Sequence, residues 1–457
     1  MADQSLEDVL QQSGNPVELL RNSQIGPYAF PVVPAEFTNW RDEQRSWRET
    51  CALFDQSHHM TDLYVEGPDA LKVFSALGIN SFKNFKVNQA KQFVACNHEG
   101  HVIGDAILFY LEDGRLSLVG RPSAINWVQY NIETGGYAAS AERDERSAVN
   151  KGTRKFFRYQ VQGPNALKVM EKVLGKPAPD IKFFNISGIA VAGREIQALR
   201  HGMVGQPGWE LFGPWEYGNE VKSAIVAAGQ EYGIRQVGAR TYPTSCLESG
   251  WIPSPLPAVY VGDELKAYRQ WLSSKSYEAM ASLGGSFHSD KITDYYLTPY
   301  DLGYGPFVKF DHEFVGRAAL EKIAEKPKRK KVTIVWNGDD IAKAFGSLFH
   351  VGGDATKYID LPLANYATLP YDKLLKDGKI VGLSTYTGYT YNERAMVSLG
   401  IVDIEHSEPG TEVTLVWGED GRGSTKPTVE RHAQMEIRAT VAPVPIAEVA
   451  RTAYRPR

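Results

Sequence analysis

Tyr242-Pro-Thr-Ser-Cys-Leu-Glu-Ser-Gly-Trp251 is the stretch of sequence that decides the fold of this chain. It follows Gly202-Met-Val-Gly-Gln-Pro-Gly-Trp-Glu-Leu211 and precedes Asp301-Leu-Gly-Tyr-Gly-Pro-Phe-Val-Lys-Phe-Asp-His-Glu-Phe-Val-Gly-Arg317. Glu210 and Glu248 stand beside apolar residues, where a carboxylate is unfavourable unless a ligand or an arginine meets it. We therefore expect each to be a buried, partnered carboxylate; the alternative is an exposed glutamate at a strand edge.

The composition indicates an ordinary globular protein. The chain has 457 residues, of which 43% are hydrophobic and 23% charged, and a length of roughly 150 residues per domain predicts two or three domains. The formal net charge of −4 offers no overall field for nucleic acid or an acidic membrane. We interpret the basic run Lys326-Pro-Lys-Arg-Lys-Lys331 as a solvated linker.

The sequence lacks the cysteine and histidine patterns of a disulfide framework or a metal centre. Cys51, Cys96 and Cys246 share no C-x-x-C spacing, and they cannot supply an iron–sulfur cluster of the Rieske type. His98-Glu-Gly-His101 is the one H-x-x-H and lies in a predicted hairpin turn, so we predict no metal site. No secretory signal or spanning segment is visible, which predicts a cytoplasmic protein without membrane contact.

A sequence repeat within the chain predicts the architecture. Tyr64-Val-Glu-Gly-Pro-Asp-Ala-Leu-Lys-Val-Phe74 returns as Gln160-Val-Gln-Gly-Pro-Asn-Ala-Leu-Lys-Val-Met170. Each copy reads as an alternating strand, Gly-Pro, and a helix with apolar residues at helical spacing. Two such units predict paired α+β halves that pack together, although Gly-Pro can also be a common strand-to-helix entry.

Beyond Lys331 the pattern changes to short β-rich runs bounded by Gly, Pro and Asp. They are Val332–Trp336, Ile380–Tyr386, Ala395–Val402 and Glu412–Trp417. Four or more such strands predict a small barrel or a jelly roll that caps the catalytic part.

The three opening stretches resemble the folate-dependent aminomethyltransferase family, whose best-known member is the glycine-cleavage T protein. The resemblance implies an α+β cloverleaf of three domains around a central channel. Its folate-binding catalytic region would cover residues 20–325 as two α+β subdomains, and its C-terminal β-barrel or jelly-roll domain residues 326–457. The implied cofactor is tetrahydrofolate. The carboxylates implied at its pterin ring are Glu210 and Glu248. Trp209, Trp251 and Tyr304 are natural stacking partners for that ring, although each of these three can also be a core aromatic.

Departures from the T-protein pattern predict a different one-carbon donor. An acidic segment of that family is replaced by Met203-Val-Gly-Gln-Pro-Gly208, its arginine before the second glutamate by Cys246, and its Asp-Asp pair by Gly104-Asp105. Acidic residues suit a cationic aminomethyl donor, so their loss argues against one. An Asn-rich motif is replaced by Val119-Gly-Arg-Pro122, which puts Arg121 where the small substrate would lie.

The replacements resemble the bacterial tetrahydrofolate-dependent aryl O-demethylases, which act on vanillate, syringate and 3-O-methylgallate in lignin catabolism. The matching segments are Asn22-Ser-Gln-Ile-Gly-Pro-Tyr28, Phe54-Asp-Gln-Ser-His-His-Met60, Val119-Gly-Arg121, Leu247-Glu-Ser-Gly-Trp-Ile-Pro-Ser-Pro-Leu-Pro257 and Ala450-Arg-Thr-Ala-Tyr454. The resemblance implies transfer of a methyl group from a methoxybenzoate oxygen to N5 of tetrahydrofolate, giving 5-methyltetrahydrofolate and a free phenol.

The residue types suit that reaction. Arg121 offers a bidentate, permanently charged partner for a benzoate carboxylate. Tyr242 or His59 can donate a hydrogen bond or a proton to the leaving phenolate, and the sequence leaves open which of them does so. The remaining residues expected around the substrate are Gln56, Tyr28, Phe30 and His58. His58 and His59 are not a chelating pair, because adjacent side chains on a strand face opposite ways.

Two alternatives stay open at this point. One is an aminomethyltransferase of the glycine-cleavage type that works with a lipoylated carrier protein. The other is a non-enzymatic folate-sensing or assembly protein on the same scaffold. The preferred reading requires an aromatic acid and folate as ligands, with no carrier protein and no metal. The sequence decides neither the preferred methoxybenzoate nor the oligomeric state.

Overall fold

A computed structural model of the chain describes residues 4–253 and 255–452. Ser254, which belongs to the matching segment 247–257, lies outside the described residues. So do residues 453–457, which include the end of the matching segment 450–454 and of the predicted C-terminal domain. Within the described part, none of the helices is long and apolar enough to cross a membrane.

The structure is mixed α and β throughout. The α-helices, in chain order, are α1 Leu6–Ser13, α2 Pro16–Arg21, α3 Trp40–Glu49, α4 Ala70–Leu77, α5 Pro122–Thr134, α6 Ala166–Leu174, α7 Gly218–Gly229, α8 Ser245–Ser249, α9 Lys266–Trp271, α10 Arg317–Glu325, α11 Gly338–Ser347 and α12 Glu448–Thr452. The β-strands are β1 Cys51–Asp55, β2 Thr61–Glu66, β3 Gln89–Cys96, β4 Val102–Glu112, β5 Arg115–Gly120, β6 Ser140–Asp144, β7 Phe156–Gln162, β8 Ile186–Val191, β9 Arg194–Leu199, β10 Gly208–Pro214, β11 Ile234–Val237, β12 Leu283–Gly284, β13 Arg329–Trp336, β14 Leu369–Pro370, β15 Asp372–Lys376, β16 Lys379–Thr390, β17 Ala395–Asp403, β18 Glu412–Trp417 and β19 Met435–Ala442.

Two sheets form the larger part of the molecule. The five-stranded sheet has the order β3-β4-β5-β2-β6, and the six-stranded sheet has the order β11-β1-β7-β10-β9-β8. The repeated sequence units occupy equivalent places in them, β2 with α4 in one sheet and β7 with α6 in the other. Each passes from strand to helix through a glycine at φ 136°. A Cβ at Gly67 would lie 2.4 Å from the Ala138 carbonyl oxygen, and one at Gly163 would lie 2.6 Å from that of Thr50.

Each unit packs its helix on its sheet largely through apolar residues at helical spacing, although Leu167, at one of the predicted positions, is 39% exposed. Helix α4 buries Val73, Phe74 and Leu77, and helix α6 buries Val169 and Met170. Full burial of a side chain of this kind stabilises a fold by about 1.5–3 kcal/mol. The repeated pattern therefore produces two separate hydrophobic cores of the same design.

The C-terminal strands close into a six-stranded barrel in the order β13-β17-β16-β15-β18-β19. Four of them coincide with the predicted β-rich runs, and the closed barrel decides between the two architectures that the sequence left open. The α+β fold with a C-terminal β-barrel is confirmed. The domain boundary at residue 326 stays a prediction; the first barrel strand begins at Arg329.

Glu248, in α8, joins the catalytic region to the barrel. Its carboxylate is 1% exposed and accepts hydrogen bonds from Trp47 at 3.0 Å, Arg48 at 3.3 Å, Thr390 at 2.8 Å and Asn392 at 2.9 Å. A carboxylate has roughly four acceptor positions, so these donors leave little capacity for a ligand. This carboxylate ties α3 to the end of β16 and the turn after it, while its predicted place at the pterin ring stays a prediction.

We expect Glu248→Gln to lower the free energy of unfolding by about 2–3 kcal/mol, because an amide turns a donor toward the donors of Trp47 and Arg48. The midpoint of urea unfolding measures the loss. Glu49→Gln is the matched control, since its exposed ion pair with Arg45 should contribute less than about 1 kcal/mol. A Glu248 variant of unchanged stability with weakened tetrahydrofolate binding would contradict this assignment.

Candidate active site

Residues 56–60 connect β1 of the six-stranded sheet to β2 of the five-stranded sheet. Arg154 donates to the carbonyl oxygens of Ser57 and Met60, at 2.7 and 3.1 Å. The backbone N–H of Arg158 donates to Ser57 Oγ at 3.0 Å, and that hydroxyl donates to the Arg158 carbonyl oxygen at 3.2 Å. The connection is therefore fixed between the sheets by main-chain contacts, which determines where its side chains point.

Gln56, His59 and Tyr242 are brought together as predicted from the sequence. The side-chain amide of Gln56 donates to the Tyr242 hydroxyl at 3.2 Å and contacts Met203 Sδ at 2.8 Å. The ring centroids of His59 and Tyr242 are 4.7 Å apart, and Phe30 lies 4.7 Å from His59 and 5.0 Å from Tyr242. The side chains of Gln56, His59, Tyr242 and Phe30 form one wall with both polar and aromatic parts.

The protonation states of this wall differ from those of the free side chains. Burial and, to a smaller extent, the nearby Arg121 guanidinium lower the pKa of His59 to about 3. His59 is therefore a neutral imidazole near pH 7. Burial raises the pKa of the Tyr242 hydroxyl far above its usual range, so Tyr242 keeps its proton. Among the described residues, the acceptor recorded for that proton is the thioether of Met203 at 3.5 Å, and a thioether is a weak acceptor.

His58 packs apart from this wall, and its predicted role at the substrate stays a prediction. Its Nδ1 lies 2.9 Å from Ser147 Oγ, and its ring packs edge-on against Trp215 with centroids 5.6 Å apart. The Ser147 N–H donates to the His58 carbonyl oxygen at 2.9 Å. Adjacent side chains diverge here, so His59 faces the site while His58 anchors the loop that contains Ser147.

A second group of polar side chains lies on one face of the six-stranded sheet. Strand pairing places Gln160 of β7 directly beside Phe54 of β1 and Glu210 of β10, and residues directly opposite each other share a face. Glu210 accepts from Arg158 at 3.0 Å, and burial raises the pKa of this carboxyl despite the nearby Arg158. These side chains meet at the end of the sheet that also carries Gln56.

Gln160 offers an acceptor without a donor. Its side chain is fully buried, and its amide N–H donates to the His201 carbonyl oxygen at 2.8 Å. That bond fixes which end of the amide is oxygen. Among the described residues, Gln160 Oε1 has no hydrogen-bond partner. Glu210 and Gln160 thus present a row of acceptors, which suits a ligand edge made of N–H donors.

Trp209 does not belong to this face. It alternates with Glu210 along β10, so its ring points to the opposite side of the sheet. There it packs, 2% exposed, in the hydrophobic core beneath α6 and α7. Trp209 therefore packs in the core, and its predicted place over the pterin ring gains no support from this position.

Trp251 and Tyr304 meet at a buried carboxylate that the sequence analysis did not place in the site. Trp251 Nε1 donates to Asp105 Oδ2 at 3.0 Å, the Tyr304 hydroxyl donates to the same oxygen at 2.8 Å, and Gln92 does so at 2.6 Å. Within the described part of the chain, Asp105 Oδ1 has no partner. Burial raises the pKa of the Asp105 carboxyl. The Trp251 ring is 37% exposed, so it remains available for stacking.

Gly104 stands where the aminomethyltransferase pattern has the first aspartate of an Asp-Asp pair. A Cβ at this position would lie 2.5 Å from Ser123 Oγ and 2.8 Å from the Ala124 nitrogen. Those atoms belong to the first turn of α5, which begins directly after Arg121. The close approach of β4 to this helix start excludes a side chain at position 104 and positions Arg121.

Arg121 is enclosed by aromatic side chains. Its guanidinium carbon lies 4.4 Å from the ring centroid of Tyr28, and the hydroxyls of Tyr28, Tyr277 and Tyr386 are its polar neighbours. The Tyr28 hydroxyl donates to the His59 carbonyl oxygen. In residues 4–253 and 255–452, Arg121 has no carboxylate partner. A cation in such surroundings favours an anionic ligand.

The site therefore has two ends joined by aromatic rings. Phe30 contacts Tyr28 at the Arg121 end and Tyr242 at the other, with centroids 5.8 and 5.0 Å apart. Tyr386 has both Arg121 and Tyr242 as electrostatic neighbours, so it lies between the two ends. Across the described residues, no group of three or more His, Cys, Asp or Glu side chains is placed to hold a metal ion.

Comparison with known proteins places this geometry in a family. Residues 22–254 match the model of the GCVT N-terminal domain. The chain is 50% identical to syringate O-demethylase of Sphingobium sp. (strain NBRC 103272 / SYK-6), over 98% of this chain and 97% of that protein. It is 29% identical to sesamin methylene transferase of Sinomonas sp. (strain No.22), over 91% of each chain.

A solved structure gives the same answer for the fold. The chain superposes on glycine cleavage system aminomethyltransferase T from Bartonella henselae with a TM-score of 0.62 and 18% identity, over 97% of both chains. At that identity the likeness speaks for the fold alone. With the domain match over residues 22–254 and the 50% identical relative, the chain belongs to the GCVT aminomethyltransferase family.

Proposed function

We propose that this protein is a tetrahydrofolate-dependent O-demethylase, which transfers the methyl group of a methoxybenzoate to tetrahydrofolate. The observation that carries the proposal is the partly buried guanidinium of Arg121, which lies against the Tyr28 ring and, among the described residues, has no ion-paired carboxylate. Tyr386 is an electrostatic neighbour both of this guanidinium and of Tyr242, whose hydroxyl keeps its proton. A benzoate carboxylate suits the guanidinium and a leaving phenolate the Tyr242 hydroxyl. The 50% identical relative is named for the same chemistry.

Tetrahydrofolate fits the acceptor row of the six-stranded sheet. The donor edge of its pterin ring matches Glu210 and the unpartnered Oε1 of Gln160, and the exposed ring of Trp251 offers a stacking face. When bound, tetrahydrofolate supplies the N5 lone pair that takes the methyl carbon, and the N5 proton that the phenol oxygen finally carries.

The protein's own contribution is orientation and proton supply. Arg121 holds the carboxylate, and Phe30 and Tyr28 flank the aromatic ring so that the methoxy carbon lies in line with its acceptor. As the C–O bond breaks, its electron pair stays on the phenol oxygen, and the Tyr242 hydroxyl donates to that oxygen. His59 is neutral, so we assign it the positioning of Tyr242 and Tyr242 the role of donor.

The glycine-cleavage alternative is disfavoured by the same geometry. A cationic aminomethyl donor would lie beside Arg121 without the second acidic residue that Gly104 excludes. Which methoxybenzoate is preferred, the lack of a carrier protein and the cytoplasmic location stay predictions. The direct test is incubation with tetrahydrofolate and vanillate, syringate or 3-O-methylgallate in turn, with detection of the phenol and 5-methyltetrahydrofolate.

We expect demethylation to require tetrahydrofolate and to proceed without oxygen after treatment with a chelator. The reason is that N5 can attack the methyl group directly, with proximity and alignment carrying much of the barrier. Anaerobic assays with and without chelator measure this, with stoichiometric 5-methyltetrahydrofolate as the readout. Turnover that is lost and then restored by iron or cobalt would falsify the proposal.

We expect Glu210→Gln to weaken tetrahydrofolate binding by about 1.5–3 kcal/mol, because the amide loses a charge-assisted acceptor opposite the pterin donors. Gln160→Leu should weaken it in the same direction by removing the neighbouring acceptor. Quenching of tryptophan fluorescence measures both affinities. Glu195→Gln, on the exposed side of the same sheet, is the control. If both site variants bind tetrahydrofolate normally, the pterin ring lies elsewhere.

We expect Tyr242→Phe to lower kcat and kcat/KM together by about 10²–10⁴-fold, since the hydroxyl acts mainly in the transition state. Tyr232→Phe, far from the site, should leave both unchanged. Substrates with increasingly acidic leaving phenols need less help, so they should narrow the gap between Tyr242→Phe and the wild type. A constant gap across the series would move Tyr242 from proton donation to positioning.

A further inference from the structure

Arg146 is a second arginine at the Arg121 end of the site that the sequence analysis did not identify. Its guanidinium carbon lies 4.9 Å from the ring centroid of Tyr28, the same ring that Arg121 approaches at 4.4 Å. It also neighbours the Tyr28 hydroxyl. Two guanidinium groups therefore converge on one side chain.

The loop around Arg146 is fixed by its neighbours in sequence. Ser147 binds the backbone and the ring of His58. Glu145 accepts from Thr61 at 3.0 Å and pairs with Arg143. Because the residues before and after Arg146 are anchored, its side chain is presented toward Tyr28 by a loop with little freedom to turn away.

The charge at this end of the site is only partly balanced within the protein, where the buried Asp105 carboxyl has Arg121 as an electrostatic neighbour. In the described ranges, neither Arg121 nor Arg146 has an ion pair with a carboxylate. The nearest acidic side chains in sequence are already engaged, Glu145 as above and Asp144 by Arg154 at 3.0 Å. Burial raises the pKa of Tyr28, so the ring between the two arginines is neutral. Two like charges near one ring repel each other unless an anion joins them.

We propose that Arg146 is a second carboxylate ligand, which holds the carboxylate of the aromatic substrate together with Arg121. A carboxylate has roughly four acceptor positions, of which one guanidinium uses two. The second guanidinium takes the remaining positions and fixes the direction of the ring axis. This inference rests on the proposed function and makes Arg146 a determinant of specificity for aromatic acids over neutral methoxyarenes.

The glutamyl tail of folate carries the same chemical group, so the source of the carboxylate needs separate tests. The positions of the two ends favour the aromatic acid. Phe30 contacts Tyr28 on one side and Tyr242 and His59 on the other. An aromatic acid whose carboxylate binds Arg146 would therefore extend along Phe30 toward the leaving-group donor Tyr242.

The experiment compares Arg146→Gln and Arg146→Lys with Arg115→Gln. Arg115 is the control, because it is half exposed and pairs with Glu66 at the far end of β5. Substrates are a methoxybenzoate and its primary amide, and the dissociation constant of the demethylated acid is measured by fluorescence without folate. Tetrahydrofolate affinity and the melting temperature are measured for each variant.

For Arg146→Gln we expect KM for the acid, and the dissociation constant of its product, to rise about 10- to 100-fold. The kcat value should stay within a few-fold, because the carboxylate is held equally in the ground state and the transition state. KM for the amide and the tetrahydrofolate affinity should not change, and the melting temperature should not fall. Arg146→Lys should recover only part of the loss, because an ammonium lacks the planar fork.

Three outcomes would overturn the inference. Equal losses for acid and amide would make Arg146 a general structural element, and a loss confined to tetrahydrofolate would assign it to the glutamyl tail. Unchanged binding of the acid would remove it from the site. If the wild type demethylates none of the acids, the proposed function fails, yet the direct binding of the aromatic acid still tests Arg146 on its own.

Discussion

The structure depends on a chain of buried charges that links its two sheets. Arg158 of β7 donates to Asp62 of β2 at 2.8 Å and to Glu210 of β10 at 3.0 Å. Arg154 donates to the other oxygen of Asp62 at 2.7 Å. All four side chains are nine-tenths buried or more, so breaking one contact would leave an uncompensated charge in the interior. The same arginines hold the connection that carries Gln56 and His59, so the packing of the sheets and the geometry of the site have one cause.

This arrangement also decides which groups can act as acids. Burial beside cations keeps His59 neutral, while burial keeps the hydroxyl of Tyr242 protonated. A donor of high pKa keeps its proton and donates a hydrogen bond that strengthens as charge develops on the leaving oxygen, so it stabilises the transition state more than the bound substrate. A cationic histidine would instead repel the arginine at the other end of the site. The neutral wall and the cationic end are therefore compatible with each other.

Local pattern predicts most of the fold, because the β2–α4 and β7–α6 units and the barrel strands are each specified by consecutive residues. Single motifs point to Gln56, Tyr242, Arg121 and Glu210, whose roles in the site stay predictions. No local pattern predicts the contacts of Glu248, because its partners Thr390 and Asn392 lie far away in sequence. The packing of Trp209 does follow from local pattern, since alternation along a strand places it opposite Glu210. Gln160 and Arg146 had no distinguishing signal: one is an ordinary polar strand residue, and the other acquires its place through the anchored loop around it.

The balance of charge then explains how one family scaffold changes its one-carbon donor. Position 104 faces α5, on the side of β4 opposite to Asp105, and the contact of Gly104 with Ser123 and Ala124 leaves no room there for an acidic side chain. Asp105 is therefore the one carboxyl of this Gly-Asp pair, and it has Arg121 as an electrostatic neighbour. A donor that carries its own carboxylate restores neutrality, whereas a cationic donor adds to the repulsion. On the proposed function, the close backbone approach at Gly104 therefore favours a donor that brings its own negative charge to Arg121.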